Sequence, residues 1–206
     1  YEDLNDKRKN SYYIFEYLYN DEKTLPSGKK LGDPLDLYEN KAQNDDFFMY
    51  FKRQSPGILK FFDPDVDPTD RMHFKNIMVY RLAETYLIGA EAHLESGNAA
   101  KALEYLNAVR LRAGVAPESI ATIKNIFEER ARELAFEGQR WFSLKRKGLL
   151  YEYLMDHMNS PLLNEYYSRN HVNPKEEYKP HMINLPIPQG VIDLLGAGYP
   201  QNEGYN

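Results

Sequence analysis

The chain has to turn at Gly97-Asn98, because apolar residues recur at helical spacing on both sides of that pair. Upstream, Leu82, Tyr86, Gly89, Ala90 and His93 make one stripe, with Ala83, Leu87 and Leu94 beside it. Downstream, Ala102, Leu103, Leu106 and Val109 make a second stripe that stops at Gly114. Two helices joined by so tight a turn lie antiparallel. Such a hairpin cannot bury both of its faces alone, so the next helical pattern, Ile123 to Glu137, is expected to supply one wall.

In that third helix Phe127, Ala131, Leu134 and Ala135 line an apolar stripe. Glu128, Glu129, Arg130, Arg132 and Glu133 fill the rest of its surface, with Glu129–Arg132 and Arg130–Glu133 spaced to pair. Gly138 interrupts the helix, and Trp141 follows as a packing anchor under a basic rim of Arg140 and Lys145-Arg146-Lys147. A last short helix is expected from Leu149 to Met158. Ala90, Gly97 and Ala102 keep the small-residue spacing of a tetratricopeptide hairpin. The expected fold class is therefore mainly α: tetratricopeptide-like antiparallel helix pairs with irregular loops and a few short strands.

Residues 1–79 read as an irregular segment with short strands. Tyr12 to Tyr19, Phe47 to Lys52 and Ile58 to Phe62 are aromatic-rich runs bounded by turn chemistry at Gly32-Asp33-Pro34 and Ser55-Pro56-Gly57. A short helix is allowed at Leu35 to Ala42. Residues 80–158 form the helical core, and 159–206 form a strap rich in Pro and Tyr. Leu185-Pro186-Ile187-Pro188 cannot be helical, and Leu185 and Ile187 are expected to plug into the helical body. All three segments are taken as one domain of a longer protein.

Several chemistries are tempting and fail on geometry. A net charge of −5 argues against a nucleic-acid partner. No run of 18 apolar residues is present to span a bilayer. The chain has 0 Cys, which removes disulfides and thiol catalysis, and its start at Tyr1 without Met suggests a processed or excised piece. Glu133 and Glu137 share one helix face, whereas glycoside hydrolysis needs carboxylates facing each other across a substrate. Pairing with Arg130 and Arg140 accounts for them better. Asp63, Asp65, Asp67 and Asp70 hint at calcium, but Pro68 and Phe74 break the calcium-loop template, so a solvated turn is expected. His73, His93, His157, His171 and His181 lack ligand spacing, and His93 is expected to be a satisfied core histidine. Ser27-Gly28-Lys29-Lys30 is a basic turn without the upstream glycine of a phosphate loop. No catalytic residue, metal site or cofactor is expected.

Four ordered blocks resemble the SusD/RagB family. The most specific is Glu129-Arg130, Glu133-Leu134, Phe136-Glu137-Gly138, Arg140-Trp141-Phe142 and Leu144-Lys145-Arg146, where Ser143 stands in place of the family's usual Asp. Tyr80 to Asn98 (YRLAETYLIGAEAHLESGN) is a second block. Ala102-Leu103, Asn107, Val109-Arg110 and Arg112-Ala113-Gly114 make the third. Leu185 to Gln189 followed by Gln201-Asn202-Glu203-Gly204-Tyr205 makes the fourth, with Glu203 replacing the family's Pro.

That resemblance implies a non-catalytic subunit binding oligosaccharide or glycan nutrients and capping a SusC-like TonB-dependent barrel. It also implies an outward-facing place on an outer membrane, with membrane contact only through a lipid anchor outside this chain. The matched blocks carry no ligand contacts in the family. By physics alone a sugar ring needs an aromatic face with hydrogen-bonding neighbours, and Tyr12, Tyr13 and Tyr17 are the candidates. The alternative is a tetratricopeptide-type adaptor holding a peptide in its groove; the tail and the ERARELAFEG block argue against it.

Overall fold

The computed structural model describes residues 3–14, 17–34, 57–66, 75–76, 78–158, 174–196 and 198–205. Among them are eight α-helices and one two-stranded sheet: α1 (Lys7–Tyr12), β1 (Tyr13–Ile14), β2 (Gly57–Ile58), α2 (Leu82–Glu95), α3 (Ala99–Arg112), α4 (Ile123–Glu133), α5 (Arg140–Lys147), α6 (Leu150–His157), α7 (Pro174–Glu177) and α8 (Gln189–Leu195). The chain divides into two compact units, residues 1–137 and 138–206. The fold is mainly helical, as expected. The expected strand at 47–52 and helix at 35–42 lie outside the described residues, and so do residues 159–173 of the strap.

In the first unit α2 and α3 form the hairpin. Gly97 (φ 83°) takes the left-handed position, where glycine escapes the Cβ penalty. Its N–H donates to the Leu94 carbonyl at 3.1 Å, and the Asn98 N–H donates to His93 at 2.8 Å, closing the last turn of α2. The Asn98 side chain then accepts from Lys101 N and caps α3. Leu87, Ala90, Ala102, Leu106, Ile126 and Phe127 are fully buried, so the core sits where α2, α3 and α4 meet. Gly89 lets the helices approach: a Cβ there would fall 2.6 Å from the Tyr105 ring. Tyr105 meets Tyr86 and His93 edge-on, with centroids 5.2 and 5.3 Å apart.

Four local expectations need correction. The buried face of α2 carries Glu84, Leu87, Ala90 and Glu91, while Leu82 is 69% exposed. His93 is half-buried against Tyr105 rather than in the core. α4 ends at Glu133, not Glu137, and Phe136 turns the chain with φ 65°. Tyr12 closes a short helix, with Asp6 capping its start by accepting from Arg8 N at 3.0 Å; the strand begins only at Tyr13, which pairs with Ile58.

The second unit begins after that turn. Trp141 is half-buried on α5, beside an exposed Phe142. The Arg140 guanidinium lies 4.7 Å over the Tyr153 ring, joining α5 to α6. The tail is more helical than a strap, containing α7, a 3-10 turn at Pro180–Ile183 and α8. Leu185 to Pro188 stays outside the helices, with Leu185 69% exposed and Ile187 half-buried. Gln201 clasps this stretch, accepting from Ile187 N at 2.7 Å and donating to Ile187 O at 2.9 Å, while Asn202 donates to Leu185 O at 2.7 Å. Side-chain amides bonded to the backbone thus tie the end of the tail to its extended stretch, and Tyr178 stacks on Tyr151 with centroids 5.8 Å apart.

Candidate ligand cleft

α4 carries Glu129 and Glu133 one turn apart, and both are fully buried. A carboxylate taken out of water costs several kcal/mol unless it is paired and hydrogen-bonded. The fold surrounds both with guanidinium groups. Arg8, Arg110 and Arg132 reach Glu129 at 2.5, 3.0 and 3.0 Å. Arg8, Arg81 and Arg112 reach Glu133 at 3.0, 2.6 and 2.7 Å. Arg8 also donates to Asp6 at 2.9 and 2.7 Å, and Arg130 stands 3.8 Å from Glu84.

Glu129, Arg130 and Glu133 were therefore misplaced on the outer surface by the sequence pattern. Their charge makes them look solvent-facing, but the signature blocks meet here as one buried ionic lattice. Arg8 was missed altogether, lying in a charged run with no helical period. The one local signal was Asp6, a capping residue two positions ahead.

Arg81 and Lys60 close this lattice at one edge. Arg81 holds Glu137 through Nε at 2.9 and 3.0 Å and donates to the Glu133 carbonyl. Lys60 pairs with Glu137, and its Nζ donates to the carbonyls of Glu133 at 2.8 Å and Ala135 at 3.0 Å. These two cations satisfy the carbonyls freed where α4 stops and Phe136 turns. Burial by itself would raise the Glu133 and Glu137 carboxyls, but the surrounding cations hold both below the ordinary value of 4.5. Burial pulls the Lys60 amine below its ordinary value, only partly offset by Glu137.

Beyond Lys60 and Arg81 opens a cleft of about 280 Å³. Its described lining is Tyr12, Lys60, Phe61, Lys75, Asn76, Met78, Arg81 and Glu137. The β1–β2 pairing brings the first of these together: Leu59 N donates to Tyr12 O at 2.9 Å, and Lys60 Nζ lies 4.3 Å over the Tyr12 ring. Phe61 and Met78 are exposed and present apolar surface, while Asn76 and the cations present donors. A flat apolar face ringed by donors can hold a hydroxyl-rich ring. On the other side of Arg81 a groove of about 360 Å³ runs between α2 and α3, lined by Ala83, Tyr86, Ala108, Val109 and Arg112.

Of the three candidate tyrosines, only Tyr12 is among the described lining of the cleft. Tyr13 packs edge-on against Phe136, centroids 5.8 Å apart. The Tyr17 hydroxyl lies against Gly57, where a Cβ would come within 2.6 Å of it. Lys60, Phe61, Lys75 and Asn76 were missed, because they sit in irregular chain and only the fold brings them to Arg81. Among the described residues no group of three His, Asp or Glu is arranged to hold a metal. Asp63 accepts from Asp65 N at 3.3 Å, a turn contact; Asp67 and Asp70 lie outside the described residues.

The sequence model of the SusD family matches residues 3–205. SusD-like protein P25 of Formosa agariphila is 31% identical over 165 residues, covering 75% of this chain and 29% of that protein. SusD-like protein P2 of the same organism is 31% identical over 148 residues, covering 63% of this chain and 26% of that protein. The chain thus spans under a third of the length of these curated relatives. Among solved structures, surface glycan-binding protein A from Bacteroides thetaiotaomicron in complex with laminarihexaose is 33% identical; the match covers 60% of this chain and 24% of that one, at a TM-score of 0.45. A SusD superfamily protein from Bacteroides vulgatus is 28% identical over 62% of this chain and 27% of that one, also at 0.45.

Proposed function

The chain belongs to the SusD family, and we propose that it is part of a non-catalytic subunit that binds oligosaccharide nutrients and caps a TonB-dependent outer-membrane transporter. The observation that carries this is the family match across residues 3–205. In this proposal the protein faces outward on the outer membrane and is tethered by a lipid anchor outside these residues. The ligand side lies on residues 1–79 and the edge they share with Arg81 and Glu137. Tyr12 and Phe61 offer ring faces to the sugar, and Tyr13 and Tyr17 frame that side.

The electrostatics support a binding role. A glycosidase acid needs a carboxyl held protonated near neutral pH. Glu133 and Glu137 are driven the other way, held ionised by Arg81 and its neighbours. Both carboxylates serve the scaffold.

Titration calorimetry of the full-length protein against a panel of oligosaccharides tests the binding half, and co-purification with a β-barrel partner tests the other. Saturable heat with one glycan class, and recovery of a barrel, are expected. Absence of both overturns the proposal.

A further inference from the structure

The geometry points to an acidic saccharide as the ligand of the cleft, with a carboxylate or sulfate ester at Lys75 and its ring over Phe61. This rests on the oligosaccharide-binding role proposed above. The cations lining the cleft are not equivalent. Lys60 and Arg81 are engaged with Glu137 and with the buried end of α4. Lys75 is not: among the described residues its Nζ donates only to the Phe62 carbonyl, at 2.9 Å, a neutral partner that fixes its position and leaves its charge uncompensated.

Around Lys75 the described lining offers no further carboxylate, since Glu137 already lies between Arg81 and Lys60. The described lining, with Lys60, Lys75 and Arg81 against Glu137, is therefore net positive in a protein of net charge −5. A neutral sugar would leave that ammonium facing bound ligand without a counter-charge. An acidic sugar supplies one through a charge-assisted hydrogen bond. Phe61, 51% exposed, gives the flat contact that every pyranose ring shares, so the anion sets the choice among sugars.

The test uses the full-length protein and three probes of matched length: an oligouronate, a sulfated oligosaccharide and a neutral oligosaccharide. At low salt at least one acidic probe is expected to bind about tenfold tighter than the neutral one, and the probe that does so identifies the anion. Lys75→Gln is expected to bring that ratio close to one, and Phe61→Ala to weaken all binding. A neutral probe that binds as tightly as both acidic ones, or a preference that survives Lys75→Gln, overturns the acidic ligand while leaving oligosaccharide binding standing. Binding untouched by Phe61→Ala places the ligand elsewhere and likewise overturns it. If none of the three binds, the failure belongs to the oligosaccharide-binding role itself, and the inference falls with it.

Discussion

Arg8 Nη1 lies 3.0 Å from the Glu133 carboxylate although 125 residues separate the two in the chain. The same guanidinium binds Glu129 and Asp6, so one side chain ties the N-terminal helix to the third wall of the core. Removing one member of such a group leaves an uncompensated buried charge, which costs more than the pair itself contributes.

Glu133→Gln is accordingly expected to lower unfolding free energy by about 3–5 kcal/mol, and Arg8→Met by a similar amount. Urea denaturation followed by circular dichroism measures both. Lys101→Ala, which breaks an exposed pair with Glu104, is the control and should leave the midpoint unmoved. Equal small effects for all three would mean the buried lattice contributes nothing special.

Gly89→Ala should destabilise by ~1–3 kcal/mol through the clash with Tyr105, less the ~1 kcal/mol that alanine gains over glycine inside a helix. In a Tyr105→Leu background the clash is relieved, and the same Gly89→Ala change should turn neutral or stabilising. A double-mutant cycle on thermal midpoints reads the coupling; additivity would deny the close approach.

At Gly97 a new side chain meets nothing within 4 Å, so only backbone strain at φ 83° is at stake. Gly97→Ala should cost about 1 kcal/mol. Gly97→Asn, which tolerates the left-handed region better, should cost less. A cost for Ala several times larger would point to lost packing instead.

Asp6, Glu133 and Glu137 all have carboxyls held below their ordinary values, which are 3.8 for Asp and 4.5 for Glu. A depressed folded value means the stabilisation is complete above the ordinary value and disappears as pH falls through the folded one. The melting temperature should therefore drop as pH is lowered below 4.5. Glu133→Gln should flatten that acid limb. Lys60 acts at the other end: its amine is depressed too, so burying it charged costs stability that is recovered as pH rises toward 10.5.

The hairpin was legible because apolar spacing and Gly97-Asn98 are both local signals. Its consequence, close packing at Gly89 and burial of Leu87, Ala90, Ala102 and Leu106, followed from the same spacing. The ionic lattice was not legible in that way. Periodicity counts apolar residues, so Glu129 and Glu133 register as a solvent face even though both are buried against Arg8, Arg81, Arg110 and Arg112 from elsewhere in the chain. The end of α4 was overrun for a related reason, because Leu134 and Ala135 continue the pattern while Lys60 and Arg81 draw the carbonyls of Glu133 and Ala135 out of it. The cleft escaped notice because Lys60, Phe61, Lys75 and Asn76 have no spacing in common. Of its lining, Tyr12 alone was singled out as a ligand contact, and on aromatic character alone.

Arg81 stands at once in the lattice and in the wall of two hollows. One bank of the cleft is thus cemented into the foundation: altering Arg81 or Glu137 to reshape the hollow would loosen the helices beneath. The opposite bank, Phe61, Lys75 and Met78, bears no such weight. Substitutions can repaint that side freely and must leave the other alone.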